Sequence, residues 1–190
     1  AATVAAGTWN VPTQSLIEQL VNDVSVTELS NRPENRYMPR ETVERWAAAK
    51  ESQLRERGFT PEIGARAIEI RHQLILALHE AGAGLLLGSD APQIFNVPGF
   101  AVHHELGFLV AAGLSPFEAL QTGTTAPAAF LGIDTGSIAV GKAADLVLLD
   151  ANPLEDIANS RRVHGVMLRG AWHGYGDLQK RLSRFESNDD

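Results

Sequence analysis

The chain has 190 residues, 44% of them hydrophobic, no cysteine and a formal net charge of −7. That length falls within the roughly 50 to 250 residues of one domain, and the acidic balance excludes a nucleic-acid partner, which requires a basic face. Without cysteine there is no disulfide framework and no thiolate metal site, so any metal must use histidine or carboxylate, and the compartment stays open.

No apolar run approaches the roughly 18 residues of a membrane span, so no membrane partner is expected. The first residues, AATVAAGTW, open at Ala1 without methionine and lack the basic start of a secretory signal. A chain cut from a longer product is the expectation.

Residues 8–13 (TWNVPT) read as a short strand closed by Pro12, and residues 14–21 continue as a helix with Leu16, Ile17, Leu20 and Val21 on one face. Residues 22–39 are polar, with Asn31, Arg32, Pro33, Glu34 and Asn35 at their centre, and read as a surface loop: a plain connection, or a lid. A charged helix follows over residues 40–57, with Glu41 and Glu44 early and Arg55 and Arg57 late, as the helix dipole favours, until Gly58 stops it. Thr60 and Pro61 then supply an N-cap and a first helical position for a helix running to Ala81.

Residues 84–92, GLLLGSDAP, are the most telling stretch. A leucine run without alternation reads as a central parallel strand buried on both sides, and Asp90 stands at its carboxyl end, where barrel enzymes keep their chemistry. The alternative for Asp90 is an acid that caps the turn after the strand. Strand, helices, strand in this order is a crossover of the kind that builds parallel sheets and barrels. A loop over residues 90–99, a helix over 100–112 and a stop at Gly113 come next. Ser115, Pro116 and Glu118 form a capping box for the following helix, and residues 126–131 form another. Beyond Ile133 the signals turn to glycines and β-branched runs, giving short strands at 136–141, 145–150 and 163–170. The charged tail beyond Asp177, ending at Asp189 and Asp190, is expected to fray or lie on the surface.

Taken in order and spacing, AVHHELGFLVAAGLSPFEALQTGTTAPAAFLGIDTGSIAVGKAADLVLLDANPLEDI and VHGVMLRGAWH resemble the C-terminal part of the metal-dependent amidohydrolase superfamily, in particular its imidazolonepropionase-like and prolidase-like enzymes. The resemblance covers roughly residues 85–173, is weaker in GTWNVPTQS, and lapses between Asn22 and Arg57. It implies an α/β fold: the C-terminal portion of a (β/α)8 TIM barrel, with TWNVPT as strand seven and LLLGSD as strand eight, plus part of a small β-sandwich. The implied division is residues 1–132 for the barrel, 133–176 for the sandwich and 177–190 for a surface tail. A whole barrel takes about 250 residues, so the first six strands are expected to be missing.

The same resemblance gives Asp90 two roles, ligand to a divalent metal, zinc in the first instance, and general base toward the attacking water. The family's other ligands, a His-x-His pair, a lysine or glutamate and two further histidines, have no counterpart here. Among the six histidines, His72 and His79 lie seven apart on one helix face and read as packing or surface residues, while His164 and His173 belong to the sandwich and tail. His103 or His104 could touch substrate, with Glu105 pairing the other. Helical neighbours point about 100° apart, so the two cannot ligate one ion. Ser89, Asn96 and Gln14 are weaker pocket candidates. Asp145, Asp150, Glu155 and Asp156 read as turn acids bonded locally, Lys142 as a turn lysine, and residues 136–141 lack the signature of a phosphate loop.

The implied activity is hydrolysis of a carbon–nitrogen bond in a small amide, cyclic amide or dipeptide-like substrate. One carboxylate does not hold a catalytic zinc, so this chain needs the remaining strands of its barrel, or a homo-oligomer partner. The other reading is a non-catalytic relative that serves as an interaction or oligomerisation module.

Overall fold

The computed structural model describes residues 2–56 and 58–186, with nothing to be said of the Leu54 side chain. Expectations attached to Ala1, Arg57, Asp189 and Asp190 lie outside the described residues. After a short helix α1 (Ala2–Ala5), strand β1 (Trp9–Asn10) leads into α2 (Gln14–Val21). Next come α3 (Val26–Ser30), a 3-10 turn over Pro33–Tyr37, α4 (Arg40–Glu56) and α5 (Pro61–Glu80). Strand β2 (Gly84–Leu85) then pairs in parallel with β1, Trp9 opposite Gly84 and Asn10 opposite Leu85. This is the mixed α/β crossover that the order of elements predicted.

The pair is shorter than the leucine run suggested. Leu86 N still donates to Asn10 O (2.9 Å), but Leu87 N turns to Thr122 O (2.9 Å), and of the three leucines only Leu85 is buried. A ladder lasts only while a neighbouring strand runs beside it, and among the described residues β1 and β2 have no neighbour but each other.

Helices α6 (Ala101–Ala111), α7 (Pro116–Thr122) and α8 (Thr125–Leu131) follow. Ile75 of α5, Leu85 of β2, Leu106 and Leu109 of α6, and Ala119 of α7 meet in one apolar core behind the strands. The capping box of α7 is complete: Ser115 Oγ accepts from Glu118 N (3.3 Å) and Glu118 Oε2 accepts from Ser115 N (2.8 Å). Replacing Ser115 by Ala should cost about 1 kcal/mol. A thermal melt should register that as a fall of roughly 2–4 °C in Tm, and an unchanged Tm would show that the box adds nothing.

The stretch expected to be a surface loop is instead folded. Ser25 caps α3 (Glu28 N to Ser25 Oγ, 3.1 Å), Leu29 is fully buried, and Asn35 Nδ2 donates to Leu29 O (2.7 Å) and Ser30 O (2.9 Å). Leu29 joins Trp46 of α4 and Ile94, Phe95 and Val97 of the loop after β2 in a second apolar core. Composition hid this because one buried leucine and one bonded asparagine organise an otherwise polar segment.

The chain closes with an antiparallel meander of β3 (Leu146–Leu149), β4 (Val163–Leu168) and β5 (Ala171–Gly174). Arg169 and Gly170, both at positive φ, make the tight β4–β5 hairpin. Residues 136–141 form no strand: Ile138 is 89% exposed and no described strand runs beside the segment. Beyond the meander, α9 (Tyr175–Leu182) buries no residue, with Asp177 in its first turn and Lys180 and Arg181 in its last.

Candidate active site

Both parallel strands direct their carboxyl ends to the same side, and the functional candidates follow from what those ends carry. Thr13, just past β1, adopts a left-handed conformation (φ 48°) and spends its hydroxyl on Pro12 O (2.8 Å), so it leaves the first amides of α2 uncapped. Glu105 of α6 caps them from ninety residues away: its carboxylate accepts from Gln14 N (3.0 Å) and Ser15 N (2.5 Å) while fully buried. Burial lifts the Glu105 carboxyl to about 7, against the pull of those two amides and of Arg71. Arg71 braces the same corner through Gln14 Oε1 (2.8 Å) and Pro12 O (2.5 Å).

Asp90 follows β2 at φ 55°, a conformation that aspartate tolerates better than most residues, and is exposed. Its carboxylate takes no partner among the described residues, so it is not spent on the local turn. The preceding carbonyl, Ser89 O, accepts from Asn96 Nδ2 (2.9 Å), and Asn96 Oδ1 accepts from Ser15 Oγ (2.6 Å).

His103 and His104 diverge as their helical positions require. His103 Nδ1 lies 3.0 Å from Ser160 Oγ, and burial lowers its pKa. His104 Nε2 lies 3.0 Å from Glu34 Oε1 in the folded insertion. Glu105 pairs with neither, being turned toward α2. The other histidines pair with carboxylates or at the surface: His72 with Glu18 (2.8 Å), His79 with Glu118 (3.0 Å), His164 with Asp150 (2.9 Å), and His173 lies 3.5 Å from Arg181. Asp145 and Asp156 accept from the backbone amides of Arg169 and Ala158, Glu155 accepts from Asn152, and Lys142 pairs with Asp134.

Glu34 is strongly affected by its partner. The hydrogen bond from His104 holds its carboxyl at about 2, below the usual 4.5, in spite of burial. The unfolded chain therefore takes up this proton near 4.5 and the folded chain only near 2, so the stabilisation is complete above pH 4.5 and is lost as the pH falls toward 2. Denaturant titrations across that window should show Glu34→Gln losing less stability with acid than the parent. An identical slope in the two proteins would remove Glu34 from the account.

Sequence reasoning gave Glu105 the wrong partner and missed Lys50. Glu105 is the one acid inside an apolar helix, and Lys50 ends the run WAAAK of α4. Each oddity was the available signal. Lys50 is 1% exposed, its Nζ donating to Gln19 O (2.9 Å) and Asn22 Oδ1 (2.7 Å), which closes the C-terminus of α2, and burial lowers its pKa to about 8.

Among the described residues no three His, Asp or Glu side chains come together to hold a metal ion. A hollow of about 460 Å³ lies beside Asp134 and Lys142, and one of about 350 Å³ beside Arg32, Arg36 and Arg40. Neither is lined by Asp90, His103 or His104.

Residues 4–172 match the model of the amidohydrolase family. Among solved structures the chain is similar to AH, a bottromycin amidohydrolase, at 25% identity and a TM-score of 0.76 over 96% of this chain and 41% of that one. It is similar also to a Xaa-Pro dipeptidase with bound methionine in the active site, at 26% identity and a TM-score of 0.60 over 90% of this chain and 36% of that one. Molinate hydrolase shares the fold at 20% identity, with a TM-score of 0.54 over 99% of this chain and 38% of that one. No curated protein sequence is matched. The chain thus spans about 41% of the length of the first of these structures. With most of its length matched by the family model, the chain belongs to the amidohydrolase family, in its prolidase-like branch.

Proposed function

We propose that the chain is the C-terminal share of a metal-dependent hydrolase acting on carbon–nitrogen bonds of small amides, cyclic amides or dipeptides. In this reading residues 1–132 belong to a (β/α)8 barrel, with β1 and β2 as its last two strands. Residues 133–176 contribute to a β-sandwich, and the described residues beyond them, 177–186, form a surface tail. The carrying observation is Asp90, a carboxylate without a partner among the described residues at the carboxyl end of β2. The fold family supports the same position, since barrel enzymes assemble their chemistry there.

A catalytic divalent ion takes three protein ligands and a water. The described residues offer one ligand, so by themselves they do not fit such an ion. Zinc or another divalent metal belongs to this proposal only for a polypeptide in which further ligands join Asp90, from the same barrel or from another copy. Asp90's own part is proton chemistry: a carboxylate open to solvent can accept a proton from the attacking water and return it to the leaving amine. Substrate contact by His103 or His104 is the weaker part of the proposal, since each ring already has a partner in Ser160 or Glu34.

A second reading, an interaction or oligomerisation module, draws on the exposed apolar residues Ile138 (89%), Val140 (107%), Val147 and Leu148. The two are separated by assaying the native polypeptide against Xaa-Pro dipeptides and simple cyclic amides, with and without a chelator. Hydrolysis abolished by the chelator supports the first. No turnover of either class, together with stable self-association, would replace it by the second.

A further inference from the structure

The loop after β2 holds three residues other than glycine at positive φ: Asp90 (55°), Ile94 (35°) and Phe95 (60°). Ile94 and Phe95 form the centre of a tight turn closed by Asn96 N donating to Gln93 O (2.8 Å). With both central residues at positive φ, such a turn ordinarily takes Asn-Gly, and a β-branched residue there is an outlier. Strain of this kind persists only where the surroundings over-determine it. Here the turn is fixed by the burial of both side chains, Phe95 completely and edge-on to Trp46 at 5.9 Å.

The turn delivers Asn96, which is wholly buried, between the two strand ends. Its Nδ2 donates to Ser89 O (2.9 Å), the carbonyl of the peptide that enters Asp90, and its Oδ1 accepts from Ser15 Oγ (2.6 Å). Ser15 is in turn held by its amide on Glu105 (2.5 Å). A continuous series of bonds, buried except for the part-buried last one, therefore runs from α6, through the start of α2, to the residue before Asp90. Asp90 stands at φ 55°, and the Asn96 bond holds the peptide that enters it. We propose that Asn96 is a positioning residue for Asp90, holding the Ser89–Asp90 peptide and with it the backbone from which the carboxylate projects, with Ser15 orienting Asn96. This rests on the proposed role of Asp90, because only a carboxylate that must meet a reacting group needs a fixed aim.

The test uses the native polypeptide with Asn96→Ala, Ser15→Ala, Ser15→Thr and Asp90→Asn, reading crystal structures and, separately, kcat and KM in the hydrolysis assay. Asn96→Ala should release the Ser89 carbonyl, take Asp90 out of positive φ or split it into two conformers, and lower kcat on the order of 10²-fold with KM little changed. Ser15→Thr, which keeps the hydroxyl, should match the parent, and Ser15→Ala should follow Asn96→Ala in milder form. Ser15→Ala decides the matter if Asn96→Ala does not fold. Asp90 unmoved in the folded variants overturns the proposal, as does a displacement spread equally over the remote β3–β5 sheet. Should Asp90 move while Asp90→Asn leaves kcat at the parent's value, the hold of Asn96 on Asp90 stands and the role assigned to Asp90 falls.

Discussion

Asp90→Asn in the native polypeptide should lower kcat on the order of 10²- to 10⁴-fold, the range for loss of a positioned acid–base group. Stability should move by no more than about 0.5 kcal/mol, because Asp90 is exposed, has no partner among the described residues and gives way to an isosteric residue equally suited to positive φ. The combination discriminates. A turn acid would produce the opposite pattern, with stability lost and rate retained. Kinetics at saturating substrate, paired with a melt of the same preparation, reads both.

Phe95→Ala should have the largest effect on the fold. Phe95 is fully buried in the core that joins Leu29 of α3 and Trp46 of α4 to the loop after β2. Removing a buried ring costs about 3–5 kcal/mol, and alanine inherits the positive φ without the packing that enforced it. A fall in Tm on the order of 10 °C follows for a chain of this size. A loss below about 1 kcal/mol would mean that the insertion and the loop are held together by something other than this core.

These two residues also mark how far the sequence could be read. Helix starts were legible because their chemistry is local: Thr60 with Pro61, and Ser115 with Pro116 and Glu118, act within one turn and stand where expected. Asp90 was legible as the acid ending a leucine run. The strands were over-read because apolar composition makes a segment capable of pairing without supplying a partner. GLLLG keeps two strand residues and GSIAVG none among those described. The insertion was under-read for the converse reason, its order coming from Leu29 meeting Phe95 and Glu34 meeting His104 across seventy residues. Glu105 was assigned to a histidine next door and instead caps a helix ninety residues earlier, a contact that no local pattern encodes.

Anomalous diffraction at the zinc edge from crystals of the native polypeptide tests the central claim most directly. The account predicts a metal peak about 2.0–2.2 Å from a carboxylate oxygen of Asp90, with the remaining ligands supplied by other strands of the barrel or by a second copy. A metal bound elsewhere while Asp90 faces bulk solvent would contradict it.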